Sequence, residues 1–379
     1  MKRLFTYMVT GMLLLCTACS NDSELSDANT KRQMVTIVTG YSSFLEVNKI
    51  PTRSLPSGYK SFSDMYPTNT PNLCSIGLIL TPDKTVVDMN TIRYINNKWT
   101  GSLDMDQGSG TEGHQYYIYG FMPSEYAAGA RAELLNGESS FAAGAQLKID
   151  GLSTLTPADV CVVVGVKKGT AGQTLDNVGI QLGEFGYVCN QDDNNIFLLM
   201  KHIYAGLHFK AHIDTEYDKL RTIKVKKMTL TTKEKIHTRI NLTIPLAANN
   251  TGTDPLGGVG YEGVGEETDK DYATIQLFPY EGGPEEYELP VVTPENFLSC
   301  FAPGYCNEFT LTTTYDVYDK KGNKIREDCV AENQISTAGF YGISALLAGE
   351  IYTVDLKVEP TYLYVLSEPD LDNPTFVIE

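Results

Sequence analysis

The chain has little of what most catalytic and metal sites are made from. Its 379 residues include one Trp and five His, they contain no Cys-x-x-Cys pair after Cys19, and they contain no Gly-x-Ser-x-Gly elbow and no His-Glu-x-x-His motif. His and Cys supply most transition-metal ligands, and His supplies most acid–base groups that titrate near neutral pH. We therefore expect a protein that is not an enzyme and that has no cofactor and no metal site.

Positive charge is also scarce. Lys and Arg number 30 against 47 Asp and Glu, so the formal net charge is −17. An acidic surface repels phosphate backbones, and nucleic acid is not an expected partner.

Three local patterns partly match known binding or catalytic motifs, but each lacks features that the motif requires. Residues 104–108 place Asp104 and Asp106 before a Gly, as a calcium loop begins, but the later Glu is missing; a solvated turn is preferred and weak calcium binding is left open. Residues 258–263 match a dinucleotide glycine pattern, but no strand precedes them and no helix follows. His202 stands among apolar residues and is interpreted as a structural group.

Long apolar runs are absent except at the start of the chain. Lys2 and Arg3 precede the mostly apolar residues 4–15, which are too short for a membrane helix and typical of a signal peptide. Small residues then lead to Cys19, and this arrangement resembles a bacterial lipobox with Cys19 as the lipidated residue. Cys16 is the less favoured acceptor because Leu15 precedes it, and an ordinary cleaved signal is the alternative.

Cysteine usage after Cys19 does not suggest a metal site. Export permits disulfides, and Cys300 and Cys306 are the only pair close enough in sequence for a local bridge. Cys161, in an apolar run, is interpreted as a small hydrophobic residue. The disulfide state is left open for the six remaining cysteines: Cys74, Cys161, Cys189, Cys300, Cys306 and Cys329.

The remainder of the chain is dominated by alternating apolar and polar residues, which predict short strands joined by turns. Strands are predicted at 34–39, 74–81, 91–95, 114–122, 146–149, 159–166, 196–201, 206–213, 221–231, 238–244, 274–278, 307–318, 351–358 and 361–366. Residues 123–144 are expected to form a short helix or a loop. The absence of intervening helices favours sandwiches or barrels, and the polar residues 192–195 are the preferred boundary between two similar halves.

Three segments in order resemble conserved segments of one family. Residues 114–123 resemble a Tyr-x-Phe/Tyr-Ala-Tyr-x-Pro strand, with Gly120 in place of Ala. Residues 195–209 resemble an apolar-x-His-x-x-Ala-x-Leu-x-Phe segment, and residues 347–356 a Leu-x-x-Gly-x-x-Tyr-x-Val-x-Leu ending. Together with the lipobox and an Arg-bearing loop, they resemble the fimbrillins, the type V pilus subunits of Gram-negative anaerobes.

The resemblance implies an all-β fold with two tandem transthyretin-like β-sandwich domains. The implied organisation is a lipoprotein signal peptide at 1–18, a lipidated propeptide with the first strand at 19–53, and sandwiches at 54–191 and 192–379. It implies a structural pilus subunit that supports cell adhesion. The precursor would be anchored in the outer membrane by lipid on Cys19, and the processed subunit would join the fimbrium. Its partners would be copies of itself or sibling subunits, a processing protease, and a surface receptor that the sequence does not identify.

Arg53 is the predicted processing site because it is basic and lies in a loop rich in Pro and Gly. Cleavage there removes the strand predicted at 34–39, whereas cleavage at the runner-up, Arg32, would leave that strand in place. Loss of a strand exposes unpaired backbone groups that a neighbour's strand can fill.

The C-terminal tail is the predicted donor strand. Residues 351–358 are expected to stay in the chain's own sheet, and Pro360 to break the ladder before the second run. The donor residues are predicted to be Tyr362, Leu363, Tyr364, Val365, Leu366, Phe376, Val377 and Ile378. The alternative is that the tail completes its own domain.

Two other functions are carried forward. One is a pilus-tip or non-polymerising surface adhesin of the same fold. The other is a glycan-binding surface lipoprotein, which is ranked lower because Trp99 is the only indole available as a binding platform.

Overall fold

The computed structural model describes residues 31–34, 36–42, 45–46, 59–61, 75–82, 89–95, 98–105, 113–190, 195–249, 252–280, 283–292, 295–336, 345–363 and 368–378. Residues 31–379 form one compact unit. Among the described residues, no helix is long and apolar enough to cross a membrane.

The described elements are almost entirely strands, which confirms the all-β prediction. They are, in chain order, β1 Lys31–Met34, β2 Thr36–Ser42, β3 Leu45–Glu46, β4 Tyr59–Ser61, β5 Ser75–Thr81, β6 Met89–Ile95, β7 Lys98–Thr100, β8 Ser102–Met105, β9 His114–Met122, β10 Ala130–Leu134, β11 Gly144–Ser153, β12 Leu155–Thr156, β13 Cys161–Gly169, β14 Gly186–Cys189, β15 Asn195–His202, β16 Ala205–Ile213, β17 Arg221–Thr232, β18 Ile236–His237, β19 Arg239–Ala247, β20 Gly260–Gly263, β21 Lys270–Asp271, β22 Thr274–Phe278, β23 Tyr287–Glu288, β24 Glu295–Phe301, β25 Glu308–Asp319, β26 Lys324–Ser336, β27 Glu350–Leu363 and β28 Glu368–Ile378.

Helical structure in the described ranges is limited to short turns. The α-helix α1 spans Thr215–Asp218, and 3₁₀ turns span Ser124–Gly129, Phe141–Ala143 and Glu267–Asp269. Asp214 caps α1, since its carboxylate accepts hydrogen bonds from the backbone N–H groups of Glu216 and Tyr217.

The first hydrophobic core lies between a nine-stranded and a four-stranded sheet. The larger sheet has the order β4-β2-β15-β13-β9-β5-β6-β7, with β14 also paired to β9, and the smaller has the order β10-β11-β19-β20. Leu78 on β5 and Phe197 on β15 come from the larger sheet, and Leu147 and Ile244 come from the smaller one. Alternating side chains of both sheets thus bury their apolar faces against each other.

The second core lies between a six-stranded and a five-stranded sheet. Their orders are β12-β24-β16-β27-β28, with β3 also paired to β27, and β22-β17-β25-β26, with β23 also paired to β17. The six-stranded sheet contributes Phe209 and Tyr352 to this core, and the five-stranded sheet contributes Val225 and Leu311.

The first core contains strands from both sides of the predicted boundary at residues 191 and 192. Strand β15 follows that boundary but pairs with β13 and belongs to the first core, as does β19. The strands on either side of this segment, β14 and β15, belong to the same sheet, where β14 pairs with β9 and β15 with β13 and β2.

Candidate strand-exchange site

The site is the edge of β15, which β2 covers in parallel. The paired positions run from Asn195 opposite Thr36 to Met200 opposite Tyr41. On its other side β15 pairs in antiparallel fashion with β13. Without β2, the edge of β15 would carry a row of backbone N–H and C=O groups with no strand to pair with.

Ile37 anchors β2 in the first core. It is 5% exposed and lies opposite Ile196, which is fully buried. In a parallel ladder, paired residues point to the same face of the sheet, so both side chains enter the same core. The segment predicted from the sequence as the first strand is therefore a strand, and it fills an apolar position as well as a hydrogen-bonding one.

Strand β4 lies on the other edge of β2. It pairs in antiparallel fashion, with Gly40 opposite Ser61 and Ser42 opposite Tyr59. Arg53 lies outside the described residues, but its place in the sequence is between β3 and β4. A cut after Arg53 would therefore sever the covalent link between β2 and β4 and leave β2 held only by its strand pairing and by the burial of Ile37.

The segment before Arg53 contributes strands to three sheets. β1 pairs with β8, β2 with β15 and β4, and β3 with the start of β27, where Leu45 lies opposite Glu350. The predicted propeptide thus contacts the sheets of both cores, a feature that the sequence analysis did not anticipate.

The C-terminal tail pairs with the chain's own sheet. β28 runs antiparallel to β27, with Ile378 opposite Leu356 and Phe376 opposite Val358. Phe376 is 5% exposed and belongs to the second core. Its backbone carbonyl accepts a hydrogen bond from the Asn333 side-chain amide at 2.6 Å.

The ladder irregularity predicted at Pro360 is present as a register shift, although the strand itself continues past this residue. β27 runs without interruption from Glu350 to Leu363, and the register shift falls between Pro360 and Thr361. Pro360 lies opposite Pro374 on β28, so neither proline has to donate a hydrogen bond to the other. The polar, Pro-bearing tail is likewise a strand, because it occupies an edge where Pro is tolerated.

The predicted donor residues are divided between described and undescribed parts of the chain. Tyr362 and Leu363 lie in β27, and Phe376, Val377 and Ile378 lie in β28. Tyr364, Val365 and Leu366, together with the predicted lipidation site Cys19, lie outside the described residues.

Three buried polar side chains meet where β13 begins and β15 ends. His202 Nδ1 lies 2.9 Å from an Asp159 carboxylate oxygen and 3.0 Å from Cys161 Sγ. Cys161 and His202 are cross-strand partners. His202 is therefore a structural group held by neighbours, and Cys161 contacts a polar partner, unlike the purely apolar environment expected from the sequence.

Cys300 lies against the same segment. The Val160 backbone N–H donates to its sulfur, yet burial, reinforced by the Asp159 carboxylate, holds the pKa of the Cys300 thiol well above its ordinary value. Cys300 and Cys306 are not joined to each other in this structure, so the local bridge suggested by their spacing does not form.

Comparisons with known proteins give similarity to solved structures only. No family model matches the chain, and no curated protein matches it. A candidate cell adhesion protein of Bacteroides fragilis has a TM-score of 0.40 and 10% identity, over 92% of this chain and 97% of that one. A fimbrial protein of Bacteroides vulgatus has a TM-score of 0.30 and 9% identity, over 92% and 98%. The fimbrial anchor protein Mfa2 of Porphyromonas gingivalis has a TM-score of 0.23 and 10% identity, over 91% and 96%.

These three structures are of a candidate cell adhesion protein, a fimbrial protein and a fimbrial anchor protein. All of their TM-scores are low, so the fold is established here from the chain's own strands and sheets.

Proposed function

We propose that the protein is a structural subunit of a surface fibre that assembles by strand exchange. The observation that carries the proposal is that β2, which precedes Arg53, covers the edge of β15 and buries Ile37 in the first core. A strand in this position is removable by one cut in the connection to β4, and its removal creates a site that another extended strand fits.

The precursor is anchored in the outer membrane through lipid on Cys19 and exposed at the cell surface. Lipid on a single Cys gives stable anchoring when it carries more than one acyl chain. Cleavage at Arg53 then breaks the covalent link between the folded body and the lipidated residues 19–53, and displacement of β1, β2 and β3 frees the body from the membrane. Cleavage at Arg32 would release the lipid but leave β2 and β3 in place.

The incoming strand replaces what β2 provided. It supplies main-chain hydrogen bonds along residues 195–200 and an apolar side chain at the position of Ile37. Full burial of one such side chain contributes about 1.5–3 kcal/mol. Hydrogen bonds between the paired backbones supply the rest of the binding free energy, as in other cases of strand addition to a sheet edge. Contacts that repeat from subunit to subunit without closing produce a filament.

The C-terminal segment of a neighbouring copy, or of a sibling subunit, is the proposed donor. Donation requires β28 to leave β27 and Phe376 to leave its place in the second core. In this proposal, a tail paired with its own sheet corresponds to the closed subunit before exchange.

The seated tail also favours a second candidate, an accessory or tip subunit that receives a strand without donating one. Asn333 and the core contacts of Phe376 retain the tail on its own sheet. Such a subunit would take part in adhesion at the end of a fibre.

A reversible covalent lock tests strand exchange directly. Ile37 and Ile196 are paired and buried, so Ile37→Cys and Ile196→Cys place two thiols opposite each other. We expect the oxidised double variant to be cleaved after residue 53 and to form no fibres, and the reduced form to regain them. The measurements are electron microscopy of sheared surface material and mass spectrometry of the N-terminus.

Each single-Cys variant is the matched control and should assemble under both conditions. Fibres of normal length from the oxidised, cleaved double variant would contradict strand exchange at β15. Deleting residues 367–379 separates the two candidates: a fibre subunit lacking its donor strand forms no filament, whereas an accessory subunit is still incorporated at fibre ends.

A further inference from the structure

The side-chain cluster Asp159–Cys161–His202 has the composition and spacing of a metal site. One ligand atom from each residue lies within 4.8 Å of the ligand atoms of the other two, and all three residues are buried. No sequence pattern indicates this cluster, because Asp159 and Cys161 are separated from His202 by about forty residues and no metal-binding spacing is present.

The backbone holds these groups in fixed positions. Cys161 opens β13 and His202 ends β15, and the two are cross-strand partners. The backbone N–H of Ile203 donates to the carbonyl of Val160 at 2.9 Å, which fixes the chain between Asp159 and Cys161. The ligand atoms therefore project from paired strand ends, which position side chains more accurately than loops do.

One ring nitrogen of His202 is within hydrogen-bonding distance of two groups at this cluster. His202 Nδ1 lies 2.9 Å from a carboxylate oxygen and 3.0 Å from a sulfur, but a ring nitrogen carries at most one proton. The side chain of Asp159 is 2% exposed and that of His202 is fully buried, so water does not share the charge. A cation bound by all three groups would place a full positive charge beside this buried carboxylate.

We infer that the Asp159–Cys161–His202 cluster binds one Zn²⁺ ion and supplies three of its ligands. Thiolate, imidazole and carboxylate are the ligands that Zn²⁺ takes in proteins, and a thiolate disfavours Mg²⁺ and Ca²⁺. Starting from the neutral imidazole with its proton on Nδ1, binding moves that proton to Nε2 and releases the Cys161 thiol proton. The Zn²⁺ charge is then balanced by one thiolate and one carboxylate.

The location assigns the site a role in folding. It joins the segment before β13 to the end of β15, beside Cys300 of β24, where the strands of the first core meet the chain entering β16. Since every ligand is buried, the ion would be taken up as these strands pair, and its binding free energy would add to the stability of the folded chain.

The test is metal content and Co²⁺ spectroscopy on the purified full-length protein. We expect stoichiometric zinc after purification from zinc-replete medium. After unfolding and refolding with Co²⁺, we expect a thiolate-to-cobalt charge-transfer band in the near ultraviolet. Cys161→Ala should lose both the zinc and the band. Cys306→Ala is the matched control, because Cys306 is a buried thiol of the second core, and it should keep both.

A second readout keeps the inference testable if Cys161→Ala does not fold. Chelation by EDTA during refolding should lower the Tm of the wild type and leave the Tm of His202→Gln unchanged. Wild-type protein without zinc and without the Co²⁺ band would overturn the site and leave a metal-free hydrogen-bonded cluster. Zinc or the band retained by folded Cys161→Ala would overturn the assignment to these residues.

Discussion

The ring of Phe376 lies 4.9 Å from the ring of Tyr315, measured between ring centroids. The two residues are 61 positions apart in the sequence, on β28 and β25, which belong to the two sheets that enclose the second core. This contact joins the C-terminal strand to the sheet it faces, and it determines how readily that strand can leave.

Replacing Phe376 by Ala should release β28. Removing a buried Phe side chain lowers the free energy of unfolding by about 3–5 kcal/mol, and the loss should be concentrated in β28, because it is an edge strand. Hydrogen exchange of the β28 amides should accelerate, while exchange in β13 and β15 stays the same. Val292→Ala is the control, because Val292 is 76% exposed. Unchanged exchange in β28 would mean that Phe376 does not hold the tail.

Alkaline pH should weaken the same contact through Tyr315. Burial, aided by the Cys329 thiol, raises the pKa of Tyr315 from 10.0 to about 12. Between these values the unfolded Tyr315 loses its proton first, so the unfolded state binds fewer protons and stability falls as pH rises. We expect Tyr315→Phe to lose part of the fall in Tm that the wild type shows from pH 10 to pH 12. Identical pH profiles for wild type and variant would exclude Tyr315 as a source of that dependence.

Strands with alternating apolar residues were predictable from sequence, and exposed edge strands were not. β9 and β22 have the predicted bounds, because each is a short run rich in aromatic and aliphatic residues. β26, of 13 residues, was missed because its first half is exposed and charged, so no apolar face marks it. Its pairing with β25 supplies the strand geometry instead.

Only part of the candidate site was predictable. The first strand was visible in the Thr and Val alternation around Ile37, and burial of that residue agrees with it. The parallel pairing of β2 with β15, and the Asp159–Cys161–His202 cluster, depend on contacts between distant segments. Local sequence patterns do not predict such contacts, because they report the periodicity of neighbouring residues and not the pairing of distant segments.

Acid should destabilise the hairpin of β25 and β26 through Asp316. Burial of this carboxylate alone would raise its pKa. The hydrogen bonds from Lys324 and from the Asp328 backbone N–H, with the charge of Lys226, outweigh burial and lower the pKa below 3.8. The stabilisation is present above the unfolded pKa and is lost as pH falls through the folded one, because the unfolded carboxyl takes up its proton first.

Asp316→Asn should therefore reduce the fall in Tm on acidification below the ordinary carboxyl range. At neutral pH the variant should lose about 1.5–3 kcal/mol, the typical contribution of a hydrogen bond to a charged group. Asp176→Asn, at an exposed position, is the control and should follow the wild-type profile. The opposite sign, a variant that is more acid-sensitive than the wild type, would contradict the lowered pKa.

Gly120 is the position where the chain departs from the Ala of the segment it resembles, and the structure gives a steric reason. A Cβ at this position would lie 2.8 Å from the Gly77 carbonyl oxygen, 2.7 Å from Leu78 Cδ2 and 3.0 Å from Val163 Cγ2. The backbone contact cannot relax by a rotamer change, because β5 and β9 are paired at this point.

We expect Gly120→Ala to lower the free energy of unfolding by about 1–3 kcal/mol, as overpacking of a core does. Gly258→Ala is the matched control, because a Cβ there meets nothing within 4 Å. Denaturant unfolding of both variants measures the difference, and equal midpoints would show that β5 and β9 separate enough to admit the methyl group.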